Sequence, residues 1–302
     1  MERRLNETPH VQPTLSRSNA RPLREGFASS GLLRSIALPV LRRIDTPITI
    51  TNPFSGLPFR LLSYTHKGYW FYGKHRESAT MHRLSRMTRA GDIVFEAGGH
   101  IGYLSQFFAR RVGHSGQVHV FEPGQDNQRF LRKNIARCLQ CVHINAAVSD
   151  GNGMAVFYEE NLGGFMNSLE PDFAASSTVA ARQQGPLVLR ARKVNTVTLD
   201  AYATAHNTWP DVIKIDVEGA EWAVLRGATK VLQAARGAMV EVSCHHEDIF
   251  AFLTDLGFTL SRPDGTIISQ PGHMDGNVFA TRAQSQDPGL NFRSSTSRRI
   301  TP

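Results

Sequence analysis

From Asp92 to Arg282 the chain repeats one pattern: a short apolar run with little polar alternation, a turn, then a longer segment of helical period. IVFEA (93–97) leads through GGHIG into YLSQFFARRV, and QVHVFEP (117–123) leads into DNQRFLRKNIARC. VHINAAV (142–148) reads as a third strand. VIKID (212–216) then leads into EGAEWAVLRGATKVLQAA, and AMVEVS (238–243) into HEDIFAFLTDLG. Runs of this kind belong to parallel strands buried on both faces, because the helices between them cover the sheet on either side. The pattern predicts an open, doubly wound, Rossmann-like α/β sheet. The finish differs. FTLSRP, a turn at Asp264-Gly265, TII and NVFATR put two strands close in sequence, as an antiparallel pair requires. With these the sheet has seven strands and is mostly parallel.

Upstream, TPITITNPFSGLPFRLLSY (46–64) alternates β-branched or aromatic residues with polar ones around Asn-Pro and Ser-Gly turn signals. It predicts a hairpin that leads into a helix near Ser78 to Thr88. The stretch 159–198 breaks the strand–helix rhythm and is expected to be a β-rich excursion on the substrate side. Four segments are expected: a disordered basic tail over 1–45 with a short helix in it, a hairpin and helix over 46–90, the main α/β domain over 91–282, and a disordered tail over 283–302.

The net charge of +8 suggests nucleic acid until it is located along the chain. Residues 1–50 hold eight Arg and no Lys against four acids, and residues 282–302 hold four Arg against one Asp. About +1 is left for the middle of the chain, too little for a phosphate-binding face, so no nucleic-acid partner is expected. GLLRSIALPVLRRI (31–44) mixes apolar residues with arginines and reads as a short docked helix or a weak membrane-surface contact. No run approaches the roughly 20 apolar residues of a membrane span, and the first residues lack a signal-peptide core, so the cytoplasm is the expected location. Cys138, Cys141 and Cys244 read as structural thiols, since a lone C-x-x-C is weak evidence for zinc. Histidine spacing gives no metal motif, and none is expected.

In a doubly wound sheet ligands settle at the carboxyl ends of the strands. The first run ends in Glu96-Ala97-Gly98-Gly99-His100-Ile101-Gly102, an acid before glycines that allow a tight turn and close approach of backbone. A nicotinamide site calls for G-x-G-x-x-G; an acid ahead of the glycines suits a ligand with an amino group and a carboxylate, such as the methionine end of S-adenosylmethionine. Glu122, in Phe121-Glu122-Pro123, stands where a carboxylate accepts from two ribose hydroxyls. Beyond the third run the adenine edge is expected either at the Asp150 side chain or at the backbone of Ala147 and Val148. The fourth run ends in Asp216-Val217-Glu218-Gly219-Ala220-Glu221. Glu221 there complements the start of a helix, and Asp216 is expected to face the sulfonium and the acceptor.

FEAGGHIGYLS, VFEP, the NSLEP region around Asn167 and Ser168, VTLDAY and DVIKIDVEGAEWAVLRGA occur in this order between Gly91 and Glu241. In these strings the chain resembles the FkbM family of methyltransferases. The resemblance implies a class I methyltransferase fold, S-adenosylmethionine as donor, and O-methylation of a sugar or polyketide-type hydroxyl. Two positions depart from the family pattern: Glu96 where it usually has Asp, and His100 where it usually has Asn. The cofactor-binding set is then Glu96, Gly98, Gly99, His100, Gly102, Glu122, Ala147 and Asp216.

A protonated aliphatic hydroxyl is a poor nucleophile, so a base is required. Asp216, Glu218, Glu241, His245 and His246 are the candidates, and His245 is favoured because a neutral imidazole accepts a proton near neutral pH; Asp216, His245 and Glu218 form the catalytic set. Two alternatives remain: a non-catalytic S-adenosylmethionine-binding protein with a degenerate loop at His100, and a nucleic-acid methyltransferase. The latter calls for an Asn-Pro-Pro-Tyr-like string where this chain has Asp-Val-Glu-Gly.

Overall fold

The computed structural model describes residues 40–175 and 187–282. Residues 40–44 are helical, with Val40 and Ile44 exposed, and belong to a unit separate from the one that starts at Pro47. The rest of the 31–44 segment and the C-terminal tail lie outside the described residues.

The second unit opens with β1 (Pro47–Thr51) and β2 (Pro58–Leu62), an antiparallel hairpin as the alternation predicts. A short helix α1 (Lys67–Tyr72), which the sequence reading missed, precedes α2 (Ser78–Met87). The repeating part then runs β3 (Ile93–Ala97), α3 (Tyr103–Val112), β4 (Gln117–Phe121), α4 (Gln125–Ile135) and β5 (Cys141–Ile144). An excursion follows: β6 (Ala147–Val148), β7 (Gly153–Glu160), α5 (Pro171–Ala175) and β8 (Leu189–Val197). The chain ends with α6 (Leu199–His206), β9 (Val212–Ile215), α7 (Glu221–Arg226), α8 (Thr229–Ala234), β10 (Gly237–Val242), α9 (His246–Asp255), β11 (Thr259–Ser261) and β12 (Gly276–Thr281).

Seven strands pair in the order β11-β12-β10-β9-β3-β4-β5. The inner ladders are parallel, and β12 is antiparallel to both β10 and β11. Strand runs are apolar throughout because alternate side chains feed opposite layers. Phe95, Ala97, Phe121, Ile213, Ile215, Val240 and Val242 pack with α6, α7, α8 and α9 on one face. Val94, Val118, Val120, Val212, Met239 and Phe279 pack with α2, α3 and α4 on the other.

Two expectations need correction. VHINAAV is not one strand: β5 ends at Ile144, and Ala147–Val148 leave the sheet to pair with Thr196–Val197 of β8, in a separate three-stranded sheet β6-β8-β7. The helical segment after VIKID is two helices. At the break, a Cβ on Gly227 would lie 2.3 Å from the Ser149 carbonyl, so only glycine lets the chain pass there, and a continuous helix of larger residues would not dock. The described residues of the 159–198 excursion hold the end of β7, the short helix α5 and β8, and β7 itself starts earlier, at Gly153.

Candidate active site

Strand register decides which side chains meet. Gly98, Asp216 and Glu241 each follow the same row of the parallel ladder, because Ala97 pairs with Ile215 and Ile215 with Val240. Glu122 follows Phe121, which pairs with Ala97, and Asn277 pairs with Glu241. At the carboxyl ends of β4, β3, β9 and β10 the order is therefore Glu122, Gly98, Asp216, Glu241, and Asn277 continues it from the amino end of antiparallel β12. Gly98 packs directly on the β9 tip: at φ +82°, a Cβ there would sit 1.8 Å from the Asp216 carbonyl oxygen, so only glycine fits this place in the row.

Two register steps deeper than Gly98 and Asp216, Glu96 pairs with Lys214. The Lys214 ammonium is only 2% exposed; it donates to the Gly98 carbonyl at 2.6 Å and lies 3.1 Å from Asp216 Oδ2. Burial works against its charge, but the Asp216 and Glu96 carboxylates outweigh it and push Lys214 up. The lysine thus joins the glycine loop to the acids. Sequence reading passed over it, although one lysine within the apolar run VIKID was the available signal.

Carboxylate oxygens of Asp216, Glu218 and Glu241 lie within 4.8 Å of one another. Like charges so close cannot all persist. The Asp216 charge and burial push Glu241 up to about 10, and burial with Asp216 and Glu221 pushes Glu218 up to about 9. For Asp216, burial opposes the charge, but Lys214 and a hydrogen bond from Glu241 outweigh it and hold the carboxyl below its ordinary value. At neutral pH this cluster holds one firm anion beside two protonated acids. Among the described residues it is the one group of carboxylates close enough to share a cation.

Glu96 is 1% exposed and sits behind the loop, accepting from Ser105 Oγ at 2.6 Å. Burial pushes it up to about 7, against the pull of Lys214 and Ser105. Glu122 accepts from the His100 amide at 2.7 Å through one oxygen, and from the Gly124 amide and Asn127 through the other. Burial pushes it up to about 7 as well, despite these donors. Both shifts carry the same sign in the linkage. An acid whose folded value is raised stabilises the fold below its unfolded value of about 4.5, and that contribution is lost as pH rises towards 7. The melting temperature of the protein is expected to fall from about pH 5 to about pH 7.5, with Glu96→Gln giving a shallower slope. Parallel slopes in thermal melts of the two proteins would show that Glu96 does not titrate in this window.

His100 is left-handed at φ 46°. Its ring is engaged on both nitrogens, Nδ1 with the Tyr69 hydroxyl at 3.0 Å and Nε2 with the Gly163 carbonyl at 2.8 Å. Burial and neighbouring His66 drive it down to about 3, so it is a neutral imidazole that donates to Gly163 and accepts from Tyr69. The residue that departs from the family pattern therefore ties the glycine loop to α1 and to the excursion. Glu218 and His245 are also left-handed, both at φ 54°. Non-glycine residues rarely adopt this conformation, and three of them at the tips of β3, β9 and β10 mark a place where local strain is maintained.

Other expected residues are placed as follows. Ala147 is buried in β6 with Phe157 and Val194, and Asp150 is paired with Arg226. Glu221 opens α7 but turns back to accept from the Gly219 amide and Ser243. Gly102 accommodates Leu131, 2.9 Å from where its Cβ would be. The His245 side chain is half exposed with Nδ1 3.3 Å from Asp248, and His246 bonds Asp275. Ser168, fully buried, donates to the Glu218 carbonyl at 2.5 Å and so fixes the loop that carries Glu218. Asn167 accepts from the Glu160 amide.

The family model described as Methyltransferase FkbM domain matches residues 96–260, more than half of the chain. The chain belongs to the FkbM methyltransferase family. It is an S-adenosylmethionine-dependent methyltransferase by that membership, and the sheet order with antiparallel β12 between β10 and β11 is the class I arrangement that the sequence implied. No curated protein matches the chain. Among solved structures, a putative rRNA methylase from Clostridium thermocellum shares 11% identity at a TM-score of 0.41, over 68% of this chain and 93% of that one. Aeropyrum pernix fibrillarin with natively bound S-adenosyl-L-methionine shares 12% identity at 0.39, over 78% and 89%. An S-adenosylmethionine-dependent O-methyltransferase from Thermotoga maritima shares 11% at 0.36, over 68% and 66%. At these scores the likenesses add nothing to the assignment. No helix among the described residues is long and apolar enough to cross a membrane.

Proposed function

We propose that this FkbM-family enzyme is an O-methyltransferase that acts on a hydroxyl of a sugar or polyketide-type small molecule. The observation that carries the reading is the row at the strand tips, in which Asp216, paired with Lys214, stands between Gly98 and Glu241 and within 4.8 Å of the Glu218 and Glu241 carboxylates. The donor set suits S-adenosylmethionine: Glu122 and the loop Gly98 to Gly102 offer acceptors and close backbone, and Asp216 offers a negative charge for a sulfonium. When bound, the cofactor supplies an electrophilic methyl group whose departure leaves a neutral sulfide.

The remaining work falls to the chain. Glu122 holds donor hydroxyls, and its bond to the His100 amide keeps the loop in register with it. Glu96 acts through Ser105 and Lys214 as a positioning residue. Ala147 and Val148 are assigned to the adenine side, because the Asp150 carboxylate is already taken by Arg226. Asp216 is the base we assign to the acceptor hydroxyl: Lys214 and a hydrogen bond from Glu241 hold its carboxyl below its ordinary value, whereas Glu218 and Glu241 are pushed up. His245 takes second place, since its half-exposed ring is already paired with Asp248. In-line transfer depends on orientation more than on any single group, and the strained tips of three strands supply it.

Asp216→Asn is expected to lower the methyl-transfer rate by about a hundredfold to ten-thousandfold, the usual worth of a positioned base. The check is transfer of labelled methyl to a panel of hydroxylated glycosides and macrolide-type acceptors. Labelling of amine-bearing acceptors only would count against O-methylation.

A further inference from the structure

Away from the strand-tip acids, one pair of reactive groups has no part in methyl transfer. Cys138 follows the last turn of α4, its amide bonded to the Ile135 carbonyl at 2.8 Å, and Cys141 opens β5. The Cys141 amide donates to the Cys138 carbonyl at 2.9 Å, closing a four-residue turn. Such a turn brings its end Cα atoms within about 7 Å, and disulfides span up to about 6.8 Å. Leu139, at the tip of the turn, is 93% exposed, and Cys141 is partly exposed while Cys138 is buried.

This turn lies behind the donor loop. Cys141 Sγ donates to the Ser105 carbonyl at 3.7 Å, and Ser105 Oγ donates to Glu96. Ser105 is in the first turn of α3, directly after the glycine loop. A change at Cys141 therefore reaches Glu96 through one residue.

We infer that Cys138 and Cys141 are a redox-modified pair, closing to a disulfide on exposure to a small-molecule disulfide and thereby weakening S-adenosylmethionine binding. The Cys141 thiolate, the more exposed of the two, attacks one sulfur of the oxidant, forming a mixed disulfide and expelling one thiolate. The Cys138 thiolate then attacks Cys141 Sγ, forming the internal bond and expelling the second. The pair is oxidised by two electrons, the oxidant is reduced to two thiols, and these take up the two protons. Closure removes the Cys141 S–H from Ser105 and draws its sulfur towards Cys138, loosening the first turn of α3 behind Glu96. Buried thiols that only fill space would neither close nor affect the donor.

The full chain is incubated with oxidised glutathione and digested with trypsin, which cuts after Arg137 and Arg182 and so isolates both cysteines without Cys244. The expected peptide is lighter by two hydrogens and carries no glutathione. Calorimetry of the oxidised protein is expected to give donor affinity about fivefold weaker, the worth of about one hydrogen bond, restored by a thiol reductant. Cys141→Ser, which lacks the attacking thiol, is expected to bind the donor equally before and after the same treatment, whereas Cys138→Ser, which lacks the resolving thiol, is expected to retain a glutathione adduct on Cys141. A parent peptide with free thiols or a lasting glutathione adduct overturns the proposal, as does a closed disulfide with unchanged affinity.

Discussion

Lys214→Met is expected to be the most damaging single substitution in this protein. The lysine is 2% exposed and is the cation beside Asp216, with Glu96 and Glu122 also within its field. Methionine fills the space but leaves the largely buried Asp216 carboxylate without its cation, with the Glu241 hydrogen bond its remaining support. Removing one member of a buried pair costs about 3–5 kcal/mol, which corresponds to a fall in melting temperature of roughly 10 °C for a chain of this size. The loss should be smaller in acid than at pH above about 7, because protonation of the carboxylates removes the uncompensated charge. Melts of both proteins across this range check the prediction. An equal loss at every pH would mean that lysine packing, not its charge, stabilises the site.

Gly98→Ala has the second largest expected effect, and it acts on ligand binding more than on stability. The residue is at φ +82°, where a Cβ costs about 1–2 kcal/mol in conformation alone. The overlap with the Asp216 carbonyl, 1.8 Å away, forces the loop and the β9 tip apart. Donor affinity should fall by about tenfold or more. Gly113, also at positive φ but with open space where its Cβ would be, is the control: Gly113→Ala should show the conformational cost in a melt and leave donor binding unchanged. Equal binding loss in both variants would contradict the geometry at Gly98.

The fold was legible where physics is local. Apolar runs betray the parallel strands, and five of them followed by an antiparallel pair define the seven-stranded sheet. Limits appear where tertiary contacts decide. Nothing in VHINAAV announces that Ala147 and Val148 leave the sheet for β8, because both halves are equally apolar. The split of the helix after VIKID depends on Gly227 meeting the Ser149 carbonyl, a contact made across the fold. In the site, acids at strand tips were legible as a set, but their protonation was not. That depends on register, which puts Asp216 beside Glu241, and on Lys214, whose partners come from β3 and from the residues just past β9. His100 looked like a weakened cofactor loop in sequence, yet its ring is a tie between the loop, Tyr69 and Gly163, which no local pattern encodes.

The central claim is that the acids at adjacent strand tips form one site for a cationic methyl donor. The most direct measurement is calorimetric titration of S-adenosylmethionine into the parent protein and into Glu122→Ala, with circular dichroism to verify that both are folded. Saturable heat from the parent and none from the variant is the predicted result. A folded parent that gives no heat, or a folded variant that binds as tightly as the parent, would contradict it.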